Sequence, residues 1–201
     1  MAVPAPASDE ELAARAAAGD GLAFEDLVRR HQDRVYGLAR RLTGDEADAA
    51  DVLQETFLLV HRRLSTFRGE ARFATWLYRI ATNAARMHHR ARRRRPAESL
   101  EDYLPRFDAD GRHAAMPEAL RVPCHAEERL DRRILAEKAR AGIERLPDGH
   151  REAFVLRDLE ELDTAEVADI LGIEPAAVRQ RVHRARLMLR GFLSEEMGAK
   201  S

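Results

Sequence analysis

Hydrophobic spacing is helical along almost the whole of this sequence and fails over one long stretch, from Pro96 to Pro123. Before the gap, Phe24, Leu27, Val28, His31, Val35, Leu38, Ala39 and Leu42 form one stripe, which Gly44 stops. Asp45 is placed to cap a second helix striped by Ala49, Val52, Leu53, Phe57, Val60, Leu64 and Phe67. A third carries Phe73, Trp76, Leu77, Ile80, Ala81 and Ala84 inward and runs into an arginine cluster. The gap holds Pro96, Pro105, Pro117, Pro123, Gly111 and several acids, too long a loop for the inside of one compact domain. Helical spacing then resumes with Leu130, Ile134, Leu135 and Ile143, followed by Phe154, Leu156 and Leu159. No period-two strand is evident. The expected fold is all-α, with two small helical domains joined by a flexible acidic linker. The division is an N-terminal extension (1–19), a first domain (20–95), the linker (96–126), a second domain (127–194) and a tail (195–201).

Charge supports that division. The net charge of −1 conceals two basic blocks. Residues 61–95 carry eleven arginines against one acid, and residues 175–201 carry six basic groups against two acids. Residues 132–174, by contrast, hold seven basic groups and eleven acids. All basic residues except Lys138 and Lys200 are arginine, whose planar fork suits phosphates and guanine edges. Two nucleic-acid surfaces are expected on a nearly neutral chain.

The second basic block lies in a helix-turn-helix pattern from Asp163 to Arg186. Asp163 and Glu166 are spaced as a capping box, Gly172 supplies the turn, Ile173 plugs the corner and Pro175 opens the next helix. Val167, Ala168 and Leu171, then Val178, Val182, Ala185 and Leu189, make the buried stripes. This leaves Arg179, Gln180, His183 and Arg184 exposed near the start of the second helix, where base edges are met. Arg181 and Arg186 are placed to reach phosphates. A plain helical hairpin with solvated arginines is the lesser reading.

In the first block, basic groups alternate with aromatics through Phe67-Arg-Gly-Glu-Ala-Arg-Phe-Ala-Thr-Trp-Leu-Tyr-Arg-Ile-Ala-Thr-Asn83 and on to Arg92–Arg95. Such interleaving suits a surface that tracks a backbone and stacks unpaired bases. Core packing is the stronger reading for Trp76, and phosphate binding for the arginine run. This stretch, the run Asp51-Val-Leu-Gln-Glu-Thr-Phe57, and Leu146-Pro…Arg151-Glu-Ala-Phe-Val-Leu-Arg with its helix-turn-helix together resemble the extracytoplasmic-function (ECF) class of bacterial RNA polymerase sigma factors, within the sigma-70 family.

The resemblance covers about residues 20–95 and 127–194. It implies a dissociable initiation factor that binds core RNA polymerase through the β′ clamp helices and the β flap. It implies promoter DNA, double-stranded and melted, as the second partner, and leaves a place for an anti-sigma factor. Asp51, Leu53, Gln54, Glu55 and Phe57 match the polymerase-docking segment, with Leu53 and Phe57 also fitting the core. Phe67, Arg68, Arg72, Phe73, Trp76, Arg79, Asn83, Arg90 and Arg93 match the part that captures a flipped −10 base and the melted strand. Arg179, Gln180, Arg181, His183, Arg184 and Arg186 match the −35 reader. Met87 stands where the family often has an acid, and Glu174 where it often has Ser or Pro.

Other chemistry is not expected. Asp108-Ala-Asp-Gly111 lacks the remaining ligands of a calcium loop, and His88-His89 and Cys124-His125 lack zinc-site partners. No catalytic motif, cofactor or metal is expected. No charge-free run approaches the length of a membrane span, and a lone cysteine, Cys124, fits a reducing compartment, here the cytoplasm. Two rival classes remain at this level: a stand-alone helix-turn-helix regulator, and an interaction protein that binds no DNA.

Overall fold

The computed structural model describes residues 7–92 and 128–198, and these are helical with no strand among them. The acidic linker, Arg93 and Cys124 lie outside the described residues.

Four of the helices each begin where a polar side chain satisfies the free N–H groups of the first turn. Helix α1 (Asp9–Ala17) starts on a capping box between Ser8 and Glu11. Helix α2 (Gly21–Thr43) starts on Asp20, whose carboxylate accepts from the N–H groups of Leu22 and Ala23. It ends on Gly44 in the left-handed region at φ 75°, which a side chain would disfavour. Helix α3 (Glu46–Arg63) is capped by Asp45 and closes in a 3-10 turn, Leu64–Thr66. Helix α4 spans Phe73–Arg92.

The stretch set apart as an extension is part of the packing. α1 buries Leu12 and Ala13, and Glu10 accepts a hydrogen bond from the N–H of Phe73 at 3.1 Å. The first helix thus caps the fourth. His31, buried in α2, approaches Asp9 at 2.7 Å and adds a second tie.

The remaining helices are α5 (Glu128–Arg145), α6 (Asp148–Phe154), α7 (Thr164–Leu171) and α8 (Pro175–Gly198). α6 runs into a π-turn, Val155–Leu159, whose wider winding takes Leu159 out of the inward stripe and leaves it 38% exposed. α7 has the capping box of Asp163 and Glu166 and ends on Gly172 at φ 66°. Val167, Ala168, Leu171, Val178, Val182, Ala185 and Leu189 are buried, as the stripes require.

The two halves pack directly on each other, a contact absent from the hydrophobic pattern. α7 lies on α4, α5 lies on α2, and buried side chains from both halves join in one cluster, with Leu146, Ala185, Met188 and Leu189 in a second, smaller one. Arg151 holds the junction. Its guanidinium donates to the carbonyl oxygens of Ile143 at 3.1 Å, Leu146 at 2.9 Å and Leu42 at 3.0 Å, and also to that of Glu144. Leu42 belongs to the last turn of α2, so one buried arginine fork satisfies helix-end carbonyls from both halves. Across the same boundary Arg86 makes a two-pronged pair with Glu152 at 2.7 and 2.8 Å. Arg41 and Tyr78 both donate to Glu160, at 2.6 and 3.0 Å. Burial first, and then the Glu160 charge, pushes the Tyr78 hydroxyl up to about 12, so it stays a proton donor.

Candidate nucleic-acid and polymerase interfaces

The turn between α3 and α4 builds an aromatic-walled cavity. Gly69, at φ 72°, lets the chain double back, and Phe67 comes to rest 5.3 Å from the Trp76 ring. Together with Arg68, Glu70 and Arg79 they line a cavity of about 350 Å³. Trp76 is half-buried, with core on one side and the cavity on the other. Phe73 is a correction to the expected set. It is fully buried, touching Phe67, Trp76 and His31, and therefore supports the cavity wall without reaching a nucleotide. The α4 stripe puts it on the core side because it opens the helix beneath α1.

Acids from α7 pair with arginines beside this cavity. Arg72 donates to Glu166 at 2.6 and 3.0 Å, and the buried Thr75 hydroxyl donates to the same oxygen at 2.7 Å. Arg79 reaches Asp169 at 3.3 Å, and Asp169 itself lines the cavity. Burial opposes ionisation of Glu166. The hydrogen bonds from Arg72, the Asp163 N–H and Thr75 outweigh it and hold the carboxyl below its usual range. Arg72 is held correspondingly high by Glu166. Further along α4, Asn83 and Arg90 are exposed.

A second concavity, of about 520 Å³, runs between α3 and α4. Asp51, Gln54 and Glu55 rim it, and Leu58, Ala84 and Met87 supply its apolar part. Leu53 and Phe57, expected at this surface, are half-buried and pack against the core. Their place on α3 is one helical step away from the rim, so they carry the ridge that presents the polar residues. Leu58, 47% exposed, and Met87, 71% exposed, were not singled out as contacts. Met87 sits with the α3 rim and not with the aromatic cavity, so its departure from the family pattern touches this groove. The signal for both was present in the sequence as large apolar residues on an otherwise polar face.

On α8, Arg179, Gln180, His183 and Arg184 are exposed, while Val178, Val182 and Ala185 anchor the opposite face. Arg181 lies half-buried over the start of α6, where a side chain in place of Gly149 would come within 3.2 Å of it. Burial, and then the charges of Arg181 and Arg184, lower the pKa of neighbouring His150. Arg186 makes a two-pronged pair with Asp158, 2.8 Å on each arm, and so is tied to its own domain. The i,i+3 and i,i+4 geometry of α8 separates these roles by face. No cluster of three or more His, Cys, Asp or Glu suited to a metal occurs among the described residues. No described helix is long and apolar enough to cross a membrane.

An all-helical pair of domains, one with an aromatic-walled cavity on a basic helix and the other with a helix-turn-helix, defines a DNA-binding protein of the transcription machinery. Residues 27–95 match the family described as Sigma-70 region 2, and residues 136–189 match Sigma-70, region 4. The chain is 36% identical to the RNA polymerase sigma-H factor of Pseudomonas aeruginosa, over 89% of this chain and 90% of that one. It is also 36% identical to the ECF RNA polymerase sigma-E factor of Haemophilus influenzae, over 90% and 93% of the two chains. CnrH, solved in complex with the cytosolic domain of CnrY, is 28% identical and superposes with a TM-score of 0.65 over 96% of this chain and 99% of that one. The sigma factor RpoE of Bartonella quintana, solved with the anti-sigma factor NepR, shares the fold at a TM-score of 0.62 and 21% identity over 85% and 96%. The chain belongs to the ECF sigma factors of the sigma-70 family, transcription initiation factors of bacterial RNA polymerase.

Proposed function

We propose that the chain works in the cytoplasm and catalyses no reaction itself, docking on core polymerase, directing it to a two-part promoter and holding the melted strand. The α3–α4 groove takes the β′ clamp helices, with Asp51, Gln54 and Glu55 as polar contacts and Leu58 and Met87 as apolar ones. The second domain meets the β flap and reads the −35 element through Arg179, Gln180, His183 and Arg184, while Arg181 and Arg186 lie toward the phosphates. The Phe67–Trp76 cavity receives a base flipped from the −10 element, and Arg68, Arg72, Arg79, Asn83, Arg90 and Arg93 follow the strand. Flipping costs a few kcal/mol of unstacking, which stacking in the cavity and the basic surface offset. An anti-sigma factor is a third partner, of the kind with which a sigma factor of this fold has been solved.

The observation that carries this reading is the aromatic-walled cavity of about 350 Å³ set among arginines at the head of α4. A stand-alone helix-turn-helix regulator needs only α7 and α8 and leaves that cavity and the α3–α4 groove without work to do. Run-off transcription tests it. Purified chain added to core polymerase should give promoter-dependent transcripts that core alone does not, and transcription equal to that of core alone would contradict the reading.

A further inference from the structure

Helix α4, which carries the aromatic cavity, opens on a residue that cannot cap it. Its first bond runs from the Trp76 N–H to the Arg72 carbonyl at 3.2 Å, so Arg72 stands where Ser, Thr, Asp or Asn usually caps. A guanidinium offers donors only, and its charge is unfavourable beside the positive end of a helix. Arg72 reaches out to Glu166 instead. The acceptor for the Phe73 N–H comes from a residue 63 positions earlier, Glu10, at 3.1 Å.

Phe73 touches both rings that line the cavity, Phe67 edge-on at 5.6 Å and Trp76 at 5.8 Å between centroids. Two adjacent acids of α1 fix Phe73 from two sides. Glu10 holds its backbone N–H. Asp9 pairs at 2.7 Å with Nε2 of His31, whose ring lies 5.4 Å from that of Phe73. Nδ1 of His31 is buried with no hydrogen-bond partner among the described residues, so Asp9 is the polar group that orients the ring. Arg30 donates to the other Asp9 oxygen at 2.9 Å. Successive positions on a helix point different ways, so one turn of α1 meets α2 through Asp9 and α4 through Glu10. α1 also packs on the 3-10 turn Leu64–Thr66, from which Phe67 follows.

We infer that Asp9 and Glu10 are positioning residues for capture of the flipped base: α1 braces Phe73, and through it the two rings of the cavity wall. Neither acid touches the strand. The inference rests on the proposed role of that cavity. α1 precedes residues 27–95, which match Sigma-70 region 2, so the brace comes from outside the matched segment. A wall ordered in advance spares the strand the cost of ordering it on binding.

The test exploits Trp76, the single tryptophan of the sequence, whose emission reports on the cavity directly. Full chains carrying Glu10→Ala, Glu10→Gln or Asp9→Ala are compared with wild type and with Asp45→Ala. The last removes the cap of α3, at the opposite end of that helix from Phe67. Quenching of Trp76 by acrylamide, and affinity for a labelled random-sequence single-stranded DNA 12-mer, are measured where circular dichroism shows every chain folded. Glu10→Ala should expose Trp76 to the quencher and weaken 12-mer binding about fivefold, the order of one lost helix cap. Asp9→Ala should move both readouts the same way, with binding weaker by about twofold, the order of a partly exposed ion pair. Glu10→Gln keeps an acceptor for the Phe73 N–H and should restore both readouts, and Asp45→Ala should match wild type. An alanine variant that leaves both readouts unmoved removes that acid from the brace. Equal losses in Asp45→Ala and Glu10→Ala, or no rescue by glutamine, overturn the positioning role. If the 12-mer neither binds wild type nor alters its Trp76 emission, the reading of the cavity as a nucleotide site falls, and the brace with it.

Discussion

The two basic surfaces of this protein are built from the same residue type and differ in how much of it is available. On α8, Arg179 and Arg184 are exposed, while Arg186 is tied to an acid of its own domain. On and around α4, Arg72, Arg79 and Arg86 are all paired with acids from the other half of the chain. Counting charge per segment therefore ranks the surfaces wrongly. The block with the larger excess is the more occupied one among the described residues. On the proposed reading, the α8 surface for duplex DNA is open, whereas arginines of the α4 surface for the melted strand are engaged by acids of α7.

The largest effect expected is at the junction that keeps the halves together. Arg151→Ala leaves several buried carbonyl oxygens without a donor and should lower stability by about 3 kcal/mol or more. Thermal or denaturant unfolding measures it, and a loss below about 1 kcal/mol would show that the junction does not hold the halves. Next come the two surfaces. Trp76→Ala should cost about 1–3 kcal/mol of affinity for single-stranded DNA and leave duplex −35 discrimination unchanged. Arg184→Ala should do the reverse, losing about 1–3 kcal/mol of discrimination at one −35 position. If either change moved both activities alike, the surfaces would not be separate.

Acid should weaken the contact between α7 and the head of α4. The Glu166 carboxyl is held below its ordinary value of 4.5, so its contribution is complete above about that pH and is lost as pH falls through the lowered value. The distance between spin labels at Asp33→Cys and Ala176→Cys, in a Cys124→Ser background, should broaden over that range, and no change on acidification would separate Glu166 from the contact. The smallest effect is at His150, whose pKa is lowered from 6.5 by burial and by Arg181 and Arg184. Phosphates bound at those arginines screen the repulsion, so duplex binding should raise the pKa, visible in its ring resonances by NMR. An unmoved or lowered value would place the duplex away from Arg181 and Arg184.

Much of the fold was legible because it is written in short-range patterns. The capping box at Asp163, the glycine stops at Gly44 and Gly172 and the stripes of α2, α4 and α8 each depend on neighbours within a few residues. The exposed face of α8 followed from the same spacing. What lay beyond the sequence was long-range. Nothing local in Glu10 announces that it caps α4, nor in Arg151 that its fork spans two helix ends. Phe73 shows the limit within the site. Helical spacing turned both Phe73 and Trp76 inward while the family pattern matched both to base contact; Phe67 and Trp76 line the cavity, and Phe73 lies buried behind them. Spacing alone does not separate a ring that lines a cavity from one that supports it.

The central claim is that one chain lays two distinct surfaces on two distinct promoter elements. Hydroxyl-radical footprinting of the chain with core polymerase, on a promoter selected from random DNA, tests it most directly. The account predicts two separated protections, with Arg184→Ala weakening only the upstream duplex patch and Trp76→Ala only the downstream melted one. A single protected patch, or two that fade together in both variants, would contradict it.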